Sequence, residues 1–269
     1  MVFNTRAFCA AYFSNLVSLW FGHNFCCCDF LLKNFYHLKM FFCYFDFKNF
    51  FMCYNKIMKT LNKRYDELQE KYGSKELNSV YGCGCEKNAK VALVFMNPTK
   101  RNIATNKNWK GLKAQWLGTK QIWEFLFKCG FIGEELSQEI KQKKPADWTE
   151  GFCEKVYEQV RKNGVWITNL GKCSQDDARP LPDEVFLQYK ELLKKELQIV
   201  EPQKTLFFGN QVSSIMLEQD ITVSTARKQK FELLLGGKTY ESYAVYYPVG
   251  NGRFNQDKAI EDIKHIMKN

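Results

Sequence analysis

Four short apolar runs recur along the chain after residue 57. They contain few polar residues, which is typical of parallel strands that are buried on both faces of a sheet. We predict these strands at residues 91–95, 165–170, 205–208 and 243–247.

The segments between these runs repeat apolar residues at helical spacing. Thr119 is a suitable N-cap for one predicted helix, and Asp147 or Thr149 for another. A hairpin turn is predicted at Gly236 and Gly237. We predict helices over residues 60–72, 119–129, 147–162, 182–200, 211–218 and 257–267.

Strands that alternate with helices predict an α/β fold, in which helices cover both faces of a largely parallel sheet. We therefore expect a three-layer α/β/α sandwich with a central parallel sheet of about four strands. This expectation covers one domain, residues 58–269.

Residues 1–57 show neither helical nor strand periodicity, and their composition differs from that of the rest of the chain. They hold 13 of the 23 Phe and six of the 11 Cys, but only seven charged residues. Three interpretations compete: a signal peptide that follows Arg6, an aromatic membrane-surface anchor, and sequence translated upstream of a start at Met58. We favour the last, so that residues 1–57 are an aromatic, Cys-rich extension and not a folded domain.

The net charge of the chain indicates which kinds of binding partner to expect. The chain has 39 Lys+Arg against 29 Asp+Glu and a net charge of +10, which favours a nucleic acid first and an anionic membrane surface second. An apolar share of 45% excludes collagen, coiled coils and full-length disorder. The predicted domain has five cysteines without disulfide-type spacing, so we expect a reducing, intracellular compartment, either cytoplasm or nucleus.

Segments that contain Asn, Gly or Pro follow all four predicted strands. Ligands of open parallel sheets bind beyond the carboxyl ends of the strands, so these segments should converge on one rim. Each segment alone is ordinary turn sequence, whereas four together predict a site without naming its reaction. The segments are residues 96–99, 169–173, 209–210 and 248–253.

Four motifs from Val91 to the C-terminus, about two thirds of the chain, resemble those of the uracil-DNA glycosylase superfamily in order and spacing. The most specific is WITNLGKC at residues 166–173, which is similar to the iron–sulfur branch. The others are FMNP at residues 95–98, WLG at 116–118 and YPVGNGR at 247–253.

The resemblance implies roles for five of these residues. Asn97 would position the attacking water within a base-binding loop that also contains Met96 and Pro98, and Trp116 would stack on a base flipped out of DNA. Asn169 would read the edge of the base. A carboxamide donates and accepts at once, which fits O4 and N3–H of uracil and mismatches the reversed pattern of cytosine.

Basic residues near the predicted rim are candidates for phosphate contacts. Lys100, Arg101, Lys172 and Arg253 are the first of these. Lys107, Lys110 and Lys113 are further candidates, and a solvated basic face explains any one of them equally well.

The chain departs from the superfamily at three points. Tyr247 replaces the His that stabilises the leaving base; we assign Tyr247 to the catalytic group, although a phenol with a pKa of about 10 is not equivalent to an imidazole. The apolar wedge that fills the space of the flipped nucleotide is expected near Asn251 and Gly252, and neither is bulky. A four-thiolate cluster has one clear match, Cys173, so we expect no iron–sulfur cluster, no other metal and no cofactor.

The resemblance therefore implies a monofunctional uracil-DNA glycosylase-like hydrolase of DNA repair. The missing wedge favours single-stranded or mismatched DNA as the partner. We expect a monomer without an obligate protein partner. The alternative is a catalytically silent member of the same fold that binds nucleic acid or a nucleobase.

Overall fold

A six-stranded mixed sheet forms the centre of the computed structural model, which describes residues 56–268. The strands lie side by side in the order β1-β3-β2-β4-β6-β5. They are β1 (Cys83–Gly84), β2 (Val91–Phe95), β3 (Val165–Asn169), β4 (Lys204–Phe208), β5 (Phe231–Leu235) and β6 (Lys238–Val245).

The pairing of the strands confirms the α/β class and corrects the predicted sheet. Strands β3, β2, β4 and β6 pair in parallel, with Phe95 opposite Asn169 at the carboxyl ends of β2 and β3. The edge strands β1 and β5 are antiparallel, so the sheet is mixed and wider than predicted. The predicted hairpin is confirmed, since β5 and β6 are joined by Gly236 and Gly237, both at positive φ.

Seven helices lie within the described part of the chain, and six of them were predicted. Helix α3 was missed because its sequence, EELSQEIKQ, is short and mostly polar and buries only Leu136, Ser137 and Ile140. The helices are α1 (residues 56–72), α2 (Gln121–Lys128), α3 (Glu134–Gln142), α4 (Glu150–Lys162), α5 (Asp183–Val200), α6 (Asn210–Leu217) and α7 (Gln256–Lys268).

Helix α1 crosses the domain boundary that the sequence predicted after residue 57. It includes residues 56–59, which were predicted to lie outside the helix, and Met58 is buried together with Leu61 and Tyr65. Residues 1–55, the remainder of the predicted extension, lie outside the described residues. Asn55–Asn269 form one compact unit.

Three local expectations were partly wrong. Thr149 caps α4 by accepting from Phe152 N at 3.2 Å, but Thr119 does not cap α2 because its hydroxyl donates to Trp116 O at 2.6 Å. Strand β6 ends at Val245, so Tyr247 belongs to the following loop. The helix predicted over residues 182–200 begins at Asp183, and its buried face includes Phe186, Tyr189, Leu193 and Leu197, whereas Leu187 is 49% exposed.

No helix among residues 56–268 is long and apolar enough to cross a membrane.

Candidate functional site

The loops that follow β2 and β3 are tied together by main-chain hydrogen bonds. Gly171 N donates to Met96 O at 2.8 Å, and Gln175 N donates to Pro98 O at 3.0 Å. A Cβ on Gly171 would lie 3.4 Å from the Cβ of Asn97, so the two loops are in direct contact. Two of the four predicted segments therefore form one continuous edge of the site.

The Phe95 ring connects this edge to the other predicted segments. It stacks on Phe208 with ring centroids 4.2 Å apart and meets the rings of Trp116 and Tyr247 edge-on at 5.1 and 6.1 Å. Gly209 N donates to Val245 O at 2.8 Å, which joins the ends of β4 and β6. The structure thus brings the ends of β2, β4 and β6 together with Trp116.

Asn169 is almost completely buried, with 1% of its surface exposed. Its Nδ2 donates to Gln115 Oε1 at 2.9 Å, while its Oδ1 is buried without a hydrogen-bond partner. A buried carbonyl oxygen without a partner is unfavourable and rare. This oxygen is therefore a candidate acceptor for a donor on a ligand that displaces the atoms covering it.

Asn97 lies on the neighbouring loop and is half-buried. Its Nδ2 donates to Pro98 O at 3.2 Å. Its Oδ1 makes no hydrogen bond to any residue of 56–268. A half-buried amide oxygen in this position can accept a hydrogen bond from a water molecule.

Trp116 has a left-handed backbone conformation, with φ of 63°. This region is uncommon for a bulky residue and costs on the order of 1–3 kcal/mol, which the surrounding contacts must offset. The Trp116 carbonyl accepts from the Thr119 hydroxyl and from Trp123 Nε1 at 3.0 Å, and these contacts hold the turn. The indole N–H of Trp116 is buried without a partner.

Tyr247 follows β6 and is half-buried. Its hydroxyl makes no hydrogen bond within the described part of the chain. Burial raises the pKa of this phenol well above its ordinary value, so it is neutral at physiological pH. Tyr247 can therefore donate a hydrogen bond to an anion, but it cannot supply the positive charge of an imidazolium.

Most of the predicted phosphate-binding residues are exposed. Lys100, Arg101 and Arg253 are exposed, and none of them forms a salt bridge with another residue of 56–268. Lys107 and Lys110 are also exposed, whereas Lys113 is half-buried above the ring of Tyr81.

The position of Lys172 contradicts its predicted role in phosphate binding, because its side chain is completely buried. Its ammonium donates to Asn169 O and to Thr168 Oγ1, each at 2.5 Å, and lies 3.1 Å from a carboxylate oxygen of Glu196. Burial lowers the pKa of Lys172, and Glu196 opposes that shift. The positive charge of Lys172 is paired with the carboxylate of Glu196 inside the protein. The prediction that Lys172 contacts a phosphate is therefore wrong.

Sequence reasoning missed two residues of this region. Phe254 lies in the 3-10 helix Gly250–Asn255 with 83% of its surface exposed, beyond the positions where a wedge was expected. The guanidinium of Arg253 lies 5.5 Å from the centre of its ring. Gln115 precedes Trp116 and is 98% buried against the Asn169 amide; only its place next to a predicted site residue could have indicated it.

The five cysteines of residues 56–268 are not grouped as the ligands of an iron–sulfur cluster would be. Cys173 is buried beside the Tyr189 hydroxyl, and burial raises the pKa of the Cys173 thiol. Burial also raises the pKa of Cys83 to about 12, although a cluster needs thiolates. Within residues 56–268, no three His, Cys, Asp or Glu side chains are grouped to hold a metal ion.

The sequence was compared with known protein families and with curated proteins. Neither comparison finds a match.

Proposed function

We propose that this chain is a uracil-DNA glycosylase-like hydrolase that removes uracil or a related damaged base from DNA. The observation that carries the proposal is the buried carboxamide of Asn169, whose Oδ1 has no partner in the protein. It lies at the carboxyl end of a parallel strand, where α/β sheets bind ligands. The proposed fold is the three-layer α/β/α sandwich of that superfamily, and the four parallel central strands support it.

The Asn169 amide matches the edge of uracil in its observed orientation. Oδ1 can accept from N3–H of the base, and the second hydrogen of Nδ2 can donate to O4, because only one of the two is used by Gln115. Cytosine presents an acceptor at N3 and a donor at N4, so it mismatches this amide. The base must leave the DNA stack to reach a group that is 99% buried.

The remaining side chains of the rim can serve the hydrolysis. Asn97 Oδ1 would accept a hydrogen bond from a water molecule whose oxygen bonds to C1′ of the sugar as the C1′–N1 bond breaks. The base leaves with the bonding electrons, and Tyr247 would donate a hydrogen bond to the resulting anion. The water proton passes to solvent or to the departing base. The indole of Trp116 would stack on the base.

Single-stranded or mismatched DNA is the proposed partner. The exposed side chains of Lys100, Arg101 and Arg253 would contact phosphates. Phe254 has the size and exposure to enter the base stack where the nucleotide leaves it. We propose a monomer that acts inside the cell without a metal, a cofactor or an obligate protein partner.

Tyr247 favours a second candidate function, a catalytically silent protein that binds DNA or a nucleobase. The burial that raises the pKa of Tyr247 makes it a neutral donor in the place of a residue that can be charged. A site with this change could keep base recognition through Asn169 and lose the stabilisation of the leaving anion.

The test is an excision assay with the full-length chain on single-stranded DNA containing uracil and on a duplex with a G:U mismatch. We expect abasic sites from the wild type, and a loss of about 10²-fold or more in Asn97→Ala and Asn169→Ala. Gln219→Ala, at an exposed position on another face, is the control and should keep full activity. Binding without excision, weakened by Asn169→Ala, would support the silent binder instead. Neither excision nor binding would refute both.

A further inference from the structure

Two side-chain amides and one main-chain carbonyl form a buried relay behind the site. Gln115 Nε2 donates to Val80 O at 3.3 Å, and Gln115 Oε1 accepts from Asn169 Nδ2 at 2.9 Å. Gln115 and Asn169 are 2% and 1% exposed. The relay ends at Asn169 Oδ1, the atom without a partner.

The Val80 carbonyl sets the direction of the whole relay. A main-chain carbonyl can only accept, so the nitrogen end of the Gln115 amide must face it. The oxygen end then faces Asn169, which in turn must present its nitrogen. The orientation of the Asn169 amide therefore follows from the fact that the Val80 carbonyl can only accept a hydrogen bond.

Both supports of the relay are themselves held in place. Val80 N donates to Lys172 O at 3.2 Å, which ties the accepting carbonyl to the segment after β3. The Gln115 carbonyl accepts from the Tyr157 hydroxyl at 2.8 Å. Gln115 thus has little freedom to turn over, and a reversed Asn169 amide would place two oxygens against each other in a buried space.

We propose that Gln115 is a specificity-determining residue, which locks the Asn169 amide in the orientation that accepts uracil and rejects cytosine. This inference rests on the proposed function. Without the lock the amide could reverse and present its nitrogen to N3 and its oxygen to N4 of cytosine. Gln115 does not touch the base, and it acts through Asn169.

The substitution Gln115→Met keeps the volume of the side chain and removes both hydrogen bonds. We expect the ratio of uracil to cytosine, measured for excision and for binding in the same single-stranded sequence, to fall about 10-fold or more. Gln115→Glu keeps an acceptor for Asn169 Nδ2 and should retain more of the ratio than Gln115→Met.

The matched control is Gln69→Met. Gln69 is also buried, donates to Ser74 O at 3.0 Å and accepts from Ser174 N at 2.7 Å, but does not contact Asn169. The Gln69→Met substitution should lower the stability of the protein without changing the ratio of uracil to cytosine. An unchanged ratio in Gln115→Met beside an active wild type would overturn the role of Gln115 alone, whereas a wild type that neither excises nor binds uracil would overturn the proposed function as well.

A second measurement decides the matter if Gln115→Met does not fold. In the ¹⁵N-labelled wild-type chain, the side-chain NH₂ of Asn169 is identified by its absence from the Asn169→Asp variant. We expect this group to exchange with solvent far more slowly than that of the exposed Asn108. Exchange and rotation as fast as those of Asn108 would show that nothing locks the amide, and would refute the inference.

Discussion

Replacement of Glu196 by glutamine should destabilise the protein strongly at neutral pH. Glu196 is fully buried on α5, and its carboxylate accepts from the Tyr65 hydroxyl at 2.9 Å, Trp166 Nε1 at 3.0 Å and Thr168 Oγ1 at 2.6 Å. It also lies 3.1 Å from the ammonium of Lys172. Glutamine keeps the shape of the side chain but leaves the buried lysine without its counter-charge.

The size of the effect follows from the proton that Lys172 must then lose in the folded state. For a lysine with an ordinary pKa, deprotonation at pH 7 costs about 5 kcal/mol, which sets an upper bound. Measured losses on breaking buried ion pairs, about 3–5 kcal/mol, lie close to this bound. At pH 9 the same deprotonation costs only about 2 kcal/mol.

The sign of the pH dependence is fixed by which state binds the proton. In Glu196→Gln the unfolded chain keeps Lys172 protonated while the folded chain does not. The stability of the variant relative to wild type must therefore rise with pH towards the ordinary pKa of lysine. Burial already lowers the pKa of Lys172 in the wild type, where Glu196 opposes the shift.

The assay is urea denaturation of full-length wild type and variant at pH 7 and pH 9, followed by tryptophan fluorescence. Glu191→Gln on the same helix is the control, because Glu191 is 72% exposed and its ion pair with Lys194 contributes about 0–1 kcal/mol. Adding Lys172→Met to Glu196→Gln should restore part of the stability, since the pair is then neutral. A loss below about 1 kcal/mol at pH 7, or an equal loss at both pH values, would refute the reasoning.

Two further predictions concern the chemistry of the rim. Tyr247→Phe should slow excision about 10²-fold and leave binding nearly unchanged, because it removes a donor to the leaving base; an unaltered single-turnover rate would exclude the hydroxyl from the reaction. Phe254→Ala should lower excision from a G:U duplex about 10-fold more than from single-stranded DNA, since only the duplex has a stack to refill. Leu187→Ala, at another exposed apolar position, should lower neither rate, and an equal loss on both substrates in Phe254→Ala would contradict a wedge.

The strands of the sheet were predictable where every residue is buried, because such a strand is apolar along its whole length. Strand β2 is apolar throughout and buried at every position, so its bounds could be predicted to the residue. Strand β1 has only two residues, Cys83–Gly84, and is too short for any period to be visible. Helix α3 has nine residues and only two buried apolar side chains, Leu136 and Ile140, which are too few for a helical period to be recognised in the sequence.

The site was predictable only as far as topology determines it. The carboxyl ends of parallel strands meet at one edge, which placed Asn97 and Asn169 on the same rim before any side-chain contact was known. Lys172 could not be placed in the same way. Its burial depends on a carboxylate from α5. The helical period puts Glu196 on the buried face, three residues after Leu193 and four before Val200, but nothing in the sequence pairs it with Lys172.

Lys172 and Gln115 together explain how Asn169 can be rigid in a place where its own oxygen has no partner. The Lys172 ammonium holds the main-chain carbonyl of Asn169 at 2.5 Å, and Gln115 holds its side-chain nitrogen at 2.9 Å. The residue is thus fixed at both ends by groups that are themselves buried and paired. A donor that reaches Oδ1 meets an acceptor already oriented, so the amide itself does not have to turn when the donor binds, although the atoms that cover it must move. A lysine that the sequence suggested for phosphate contact instead supports Asn169, the proposed base-reading residue, from inside the protein.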